Sequence, residues 1–368
     1  MRFRYYLDAH LSLELQTPDH APDMLRLISE NRAFIGQYMD WVQRLQTLPD
    51  AQKYLDRDLH GMAIGRRWAW MIRYYGQVVG RIGLTVTTPS LNECELYYFL
   101  AESATGNGII TRVTRVITTF AIRVLGLKHV LIGYVPDNVK SGAVAERLGF
   151  QYEYRARDEE AKGDKWQDLR FMGMLADDWD DSATIPSFDY WLTENISLRL
   201  YQTYHVATKM RAIKRNKDEL SRWFRWATDA YTSRDERERV RERLFGYADN
   251  EMLNVTIWHE NRYVGDATLR IDTVHESGML SYWLDSSVRG QGIATRTANA
   301  LLRYGFQERR LARIGAQIAE SNTASCAVAE RLGMQAECFM RDERRIGGQF
   351  INHVQYGILA NEWKTNRL

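Results

Sequence analysis

Trp283-Leu284-Asp285-Ser286-Ser287-Val288-Arg289-Gly290-Gln291-Gly292-Ile293-Ala294-Thr295 decides the fold, because an apolar stretch passes through a glycine turn into a helical pattern. Met279 to Leu284 is apolar and aromatic enough for a buried strand. Ile293, Ala300, Leu301 and Tyr304 recur at helical spacing and predict the helix that follows. Gly290 and Gly292 remove side chains where a backbone must approach a ligand, and the amides there lie at the positive end of a helix dipole. Arg289 adds a charge able to pair with a phosphate oxygen. Two readings stand at this point: a pyrophosphate cradle, or a plain strand-to-helix turn.

Downstream, Ile314 to Ala319 reads as another apolar strand, followed by Asn322-Thr323-Ala324-Ser325 and the short helical run Cys326 to Met334. In this order the segments Arg289 to Ala294, Ser321 to Ser325 and Ala329-Glu330-Arg331-Leu332-Gly333-Met334 resemble the GNAT superfamily of N-acetyltransferases. Within it they are similar to the Rim branch, which acetylates ribosomal-protein N-termini. The resemblance implies acetyl-CoA as co-substrate and no metal.

Matching the second half of the chain back onto the first exposes a duplication. Ala143-Val144-Ala145-Glu146-Arg147-Leu148-Gly149 returns letter for letter as Ala327 to Gly333, a step of 184 residues. Gly108-Ile109 maps to Gly292-Ile293 at the same step, and Val79-Gly80, Trp41 and His20 map to Val264-Gly265, Trp226 and His205 at 185. A repeat of that length is a domain rather than a solenoid unit. The predicted organisation is an N-terminal GNAT-like domain over 1–176, an acidic linker over 177–186 closed by Pro186, and a C-terminal GNAT domain over 187–368. Each copy reads as α+β, a mixed and largely antiparallel sheet flanked by helices. The first strand (Leu11 to Leu15, Ile196 to Leu200) alternates apolar and polar residues, and helices carrying Trp41, or Trp223 and Trp226, follow it.

Composition bounds the partners. The 368 residues, 45% of them hydrophobic, suffice for two cores, and a formal net charge of +2 makes no electrostatic case for a membrane surface. It argues likewise against nucleic acid other than as an aminoacyl-tRNA. Lys209, Arg211, Lys214, Arg215, Arg222 and Arg225 are interleaved with Asp218, Glu219, Asp229, Glu236 and Glu242, which reads as a solvated helical face. Cys94, Cys326 and Cys338 are too few and too scattered for a disulfide framework or a zinc site. With no apolar leader after Met1, a cytoplasmic protein is expected.

The resemblance also assigns roles. In the C-terminal copy it places the backbone of Trp283, Leu284 and Asp285 beside the acetyl and pantetheine groups at a bulged strand end. It places Arg289, Gly290, Gln291, Gly292, Ile293, Ala294 and Thr295 around the pyrophosphate, with Asn322 near the pantetheine arm. The N-terminal equivalents are Phe99, Leu100, the loop Thr105-Gly106-Asn107-Gly108-Ile109-Ile110-Thr111, and Asn138. Thr105 lacks the charge of Arg289, and Ile110 stands where the general pattern has Gly or Ala. The C-terminal copy is therefore expected to be the stronger acetyl-CoA site, and the N-terminal copy a weaker site or a structural partner.

By the same resemblance Ser325 and Ser141 are candidate proton donors to the departing thiolate, the alternative being an N-cap on the short helix. Glu343 and Glu159, just before turns at Gly347 and Gly163, are candidates to take the amine proton, the alternative being ordinary surface carboxylates. Glu95 is a weaker candidate, since Met279 occupies its counterpart. An α-amine with a pKa of about 7.7 to 8.0 is roughly one-tenth neutral at pH 7, far more than a lysine at about 10.4. That favours a protein N-terminus, amino acid or aminoacyl compound as acceptor. An amine-bearing antibiotic or toxin, and a non-catalytic acyl-CoA-binding protein, are the rival readings.

Overall fold

The structure, a computed structural model, describes residues 1–162, 165–180, 182, 184–346 and 348–364. The turn glycines Gly163 and Gly347, the linker residues Asp181 and Ala183, and residues 365–368 lie outside the described residues. The chain divides into two compact units at Phe188/Asp189.

In the N-terminal unit the order is β1 (Arg4–Tyr6), β2 (Leu11–Leu15), α1 (Ala21–Ile35), α2 (Leu48–Ala63), β3 (Arg67–Tyr74), β4 (Gln77–Thr88), β5 (Glu93–Leu100), α3 (Ile109–Thr119), β6 (His129–Tyr134), α4 (Val139–Arg147), β7 (Gln151–Lys162) and β8 (Lys165–Leu175). The C-terminal unit repeats it with β9 (Tyr190–Trp191), β10 (Ile196–Leu200), α5 (Val206–Arg215), α6 (Lys217–Trp223), α7 (Ser233–Ala248), β11 (Met252–His259), β12 (Arg262–Asp272), β13 (Ser277–Leu284), α8 (Ile293–Arg303), β14 (Arg313–Ala319), α9 (Thr323–Arg331), β15 (Gln335–Ile346) and β16 (Gln349–Leu359). Among the described residues each unit holds an eight-stranded sheet, ordered 1-2-3-4-5-6-8-7 and, in matching sense, 9-10-11-12-13-14-16-15. The α+β architecture and the duplication are as the sequence implies.

One feature of the sheet creates the site. Every neighbouring pair is antiparallel except β5 with β6 and β13 with β14, which are parallel. These two pairings are short: Glu93 to Leu96 against His129 to Ile132, and Ser277 to Met279 against Arg313 to Gly315. Beyond them the strands diverge, and the far ends of β5 and β13 border a gap. Ile109, Val113 and Ile117 of α3, and Ile293 and Leu301 of α8, are buried at helical spacing and anchor the helix that follows each gap.

Three expectations change. The linker is not free of the first core: Trp179 is buried and its indole N-H donates to Thr119 Oγ1 at 3.1 Å. Phe188 packs on Trp70 and Phe120, with ring centroids 5.3 and 5.7 Å away. Trp41 lies in a short 3-10 helix, Asp40–Arg44, and Trp226 in a turn, rather than in α-helices, because the chain must reverse before α2 and α7. The interleaved charges are not all solvated either. Lys209 and Glu236 are buried and paired at 3.0 Å, and Lys209 also meets the Asp266 carboxylate. A buried charge is retained only when paired, which sequence spacing along one helix cannot reveal.

Candidate active site

The glycine loops hold their shape through left-handed backbone. Gly106 and Gly108 have φ of 81° and 66°, and Gly290 and Gly292 have 77° and 74°, a region glycine enters without strain. A Cβ at Gly106, Gly108 or Gly290 would meet nothing within 4 Å, so the space above these backbones is open. At Gly292 it would lie 3.0 Å from Nη1 of Arg296, an exposed cation in the first turn of α8.

Each loop is tied to the preceding helix by an asparagine. Asn31 Oδ1 accepts the Glu102 N-H at 3.0 Å, and Asn216 Oδ1 accepts the Ser286 N-H at 2.9 Å. Both asparagines have left helical geometry, with φ of −124° and −109°, and both amide groups donate to the carbonyl four residues back, Leu27 and Ala212. In the C-terminal unit this break separates α5 from α6. The rest of that loop is pinned by side chains. Asp285 Oδ1 accepts from Ser287 N-H and Oγ at 3.1 and 2.7 Å, and Arg215 reaches Asp285 Oδ2 at 3.1 Å. Burial raises the Asp285 pKa, but the bonds from Ser287, Asn216 and Arg215 prevail and hold it at about 2. Arg289 is engaged with protein: its Nη2 pairs with Glu219 Oε1 at 3.0 Å.

The strand ends sort the backbone candidates. The Asp285 amide donates to Val264 O at 2.7 Å, and the Ala101 amide to Val79 O at the same distance. Asp285 therefore cannot offer its N-H to a ligand, which corrects that assignment. Because groups alternate sides along an antiparallel ladder, Trp283 and Phe99 also face β12 and β4, whereas Leu284 and Leu100 present their N-H groups to the gap. The register from Gly265 opposite Leu284 to Asp272 opposite Ser277 is unbroken, so the expected bulge at the end of β13 is not there; divergence from β14 exposes the amide instead. Gly265 and Gly80 are required opposite these ends, since a Cβ would run into the carbonyl of Trp283 or Phe99. The Trp283 indole donates to Asp266 Oδ2 at 3.1 Å, joining this strand to the buried Lys209 cluster.

At the other side of the gap the N-caps of α4 and α9 are Asn138 and Asn322, whose side chains accept the Ser141 and Ser325 N-H groups at 3.2 Å. The cap role proposed as the alternative for the serines thus belongs to the asparagines, and the serine hydroxyls are not used for it. In the N-terminal unit the Ser141 Oγ lies 2.9 Å from the Tyr98 hydroxyl. In the C-terminal unit Tyr282 stands in the same place beside Ser325, its buried hydroxyl making no hydrogen bond of ordinary length.

A cavity of about 760 Å³ runs along this arrangement in the N-terminal unit, from Tyr98 and Leu100 past Gly106, Gly108 and Ile110 to Asn138 and Ser141. Arg112, Lys140 and Arg147 line it as well. Of these, Arg112, paired with Asp8 Oδ2 at 2.6 Å, and Arg147 recur as Arg296 and Arg331, whereas Lys140 stands where the C-terminal unit has Ala324 and so makes up for the charge missing at Thr105.

A family model for the acetyltransferase (GNAT) domain matches residues 10–151 and again 195–335. The chain belongs to the GNAT family. It is a tandem GNAT acyltransferase whose acyl donor is acetyl-CoA. YdaF of Bacillus subtilis, a ribosomal N-acetyltransferase in name, is 27% identical over 178 residues, covering 48% of this chain and 97% of YdaF. The ribosomal-protein-serine acetyltransferase of Escherichia coli is 25% identical over 167 residues, 45% of this chain and 93% of that protein. Among solved structures, the RimL ribosomal L7/L12 alpha-N-protein acetyltransferase with coenzyme A is similar at 22% identity, with a TM-score of 0.45, over 46% of this chain and 97% of its own.

Against this GNAT frame the two glutamates are symmetric. Glu159 and Glu343 are exposed and sit on matching bulges of β7 and β15. Each bulge has an aspartate at positive φ, Asp158 at 49° and Asp342 at 52°, held by Asp168 Oδ1 or Asn352 Oδ1 accepting its N-H at 3.0 Å. Glu343 Oε1 also accepts from Gln317 Nε2 at 3.4 Å, which keeps it beside the C-terminal half of β14. Sequence reasoning missed Asn31 and Asn216, Tyr98 and Tyr282, Arg112 and Arg296, and Lys140. All but Lys140 were findable, as residues unchanged between the repeats. Ile109, Ile293 and Thr295 point into the core, leaving only their backbone for a ligand. Among the described residues no cluster could hold a metal ion, and no helix is long and apolar enough to cross a membrane.

Proposed function

We propose that the protein transfers the acetyl group of acetyl-CoA to the α-amine of a protein or peptide N-terminus by direct attack. The supporting observation is the cavity in the N-terminal unit, where open left-handed glycines, three cations, the Leu100 amide and an uncapped serine hydroxyl border one space. Acetyl-CoA supplies the activated thioester. The amides of Gly106 to Ile110 hold its diphosphate with Arg112, Lys140 and Arg147, and Leu100 N-H polarises the thioester carbonyl. Ser141 gives a proton to the leaving sulfur, and Glu159 receives the amine proton through solvent. Leu284, Gly290 to Ala294, Ser325 and Glu343 take the same parts in the C-terminal unit.

The acceptor class rests on the neutral fraction of an α-amine at pH 7 and on the relatives, one of which is named for ribosomal-protein serine. Free cysteines at 94, 326 and 338 suit a reducing, cytoplasmic setting. The test is CoA release by the full chain with peptides bearing N-terminal Ser or Ala, free amino acids, aminoacyl compounds, amine antibiotics and lysine-only peptides. Turnover confined to antibiotics, or to lysine, would overturn the acceptor assignment. Acetyl-CoA binding without turnover on any amine would reduce the protein to a binding module.

A further inference from the structure

We infer that Tyr98 is the positioning residue that aims the Ser141 proton into the cavity, an assignment that rests on the acetyl-transfer reading above. Tyr98 lies on the part of β5 that has already left β6, so its side chain spans the gap to the start of α4. Its hydroxyl is 2.9 Å from Ser141 Oγ and 3.4 Å from the Ser141 carbonyl. The carbonyl can only accept, while the Oγ can do either, and the shorter contact makes Oγ the better acceptor for the single Tyr98 proton. With its lone pair so occupied, the Ser141 hydroxyl must turn its own hydrogen away from Tyr98. Both side chains line the cavity, so that hydrogen points at the space the thioester sulfur would fill.

The Ser141 backbone N-H is already fixed by Asn138, and the helix cap makes no claim on the hydroxyl. Burial pushes the Tyr98 hydroxyl up to about 12, so the phenol keeps its proton throughout the working pH range and remains the donor to Ser141. In the step itself the N-C bond forms and the C-S bond breaks, with its electron pair passing to sulfur. Sulfur takes the Ser141 proton, and the proton released by nitrogen restores Ser141 through solvent. Net, one N-H proton ends on sulfur and Tyr98 is unchanged.

The test uses the full chain carrying Ser325→Ala, so that turnover reports the N-terminal copy, with Tyr98→Phe, Ser141→Ala and both together. Loss of one orienting hydrogen bond should lower kcat about ten-fold in Tyr98→Phe. KM and calorimetric affinity for acetyl-CoA should hold within two-fold, and the double variant should be no slower than Ser141→Ala alone. Full kcat in Tyr98→Phe, losses that multiply in the double variant, or a loss appearing only in KM would each overturn the inference. If Ser141→Ala keeps full kcat, the proton-donor role in the proposed function fails first, which separates the two failures.

Discussion

The contact between Glu219 and Arg289 predicts that a single charge removal will tighten acetyl-CoA at the C-terminal copy. Arg289 Nη2 lies 3.0 Å from Glu219 Oε1, with side-chain exposures of 49% and 28%. Glu219 also accepts the Trp223 indole N-H at 3.0 Å, and that bond, followed by the one from Arg289, holds its carboxyl below the ordinary range. Glu219 is therefore ionised at neutral pH, and Arg289 must release it before serving a phosphate. Exposed pairs of this kind contribute about 0.2–1 kcal/mol. At about 1.4 kcal/mol per ten-fold, Glu219→Gln should lower the Kd for acetyl-CoA by up to about five-fold, while Gln keeps an acceptor for Trp223. The N-terminal copy is an internal control, since Phe34 occupies the Glu219 position. The assay is calorimetric titration of the full chain at low salt and again near 1 M, where a Debye length of about 3 Å should erase most of the gain. An unchanged or weaker Kd at low salt, or a gain that grows with salt, would refute the account of Arg289 as a phosphate ligand held in reserve.

Acid should destabilise the fold through His205, whose pKa is lowered to about 3 by burial and then by Arg199. A depressed pKa means its stabilisation is complete above about pH 6.5 and is lost as pH falls toward 3, up to about 2 kcal/mol by pH 5. Since its Nδ1 accepts the Gln202 N-H at 3.3 Å, His205→Asn should retain that bond and shrink the drop in Tm between pH 7.5 and pH 5.0. Gly80→Ala would set a methyl 2.5 Å from the Phe99 carbonyl oxygen, costing about 1–3 kcal/mol of stability by denaturant unfolding and weakening acetyl-CoA binding at the adjacent Leu100. For an α-amine acceptor, kcat/KM should rise with pH and level near pH 8; a rise continuing past pH 9 would point to a lysine instead.

The motif order and the constant step of about 184 residues determined the fold class, the two-domain plan and the location of both glycine loops, because those depend on local periodicity and on backbone geometry that only glycine adopts. The first strand shows where such reading stops. Its alternation puts Glu14 on a polar face, yet Glu14 is buried, with Arg4 Nε at 2.8 Å and Arg73 Nε at 2.6 Å. Which carboxylate finds which cation across a sheet is not a local property of the chain. The same holds at the site. The sequence alone brought out Ser141, Ser325 and the loops, but only tertiary structure separated cap from hydroxyl, turned the Asp285 amide into the ladder, set Tyr98 across the gap and paired Arg289 with Glu219. The cap is local, three residues from its serine, but the other three outcomes join residues more than twenty positions apart, where the parting of two parallel strands, rather than any run of letters, decides what meets.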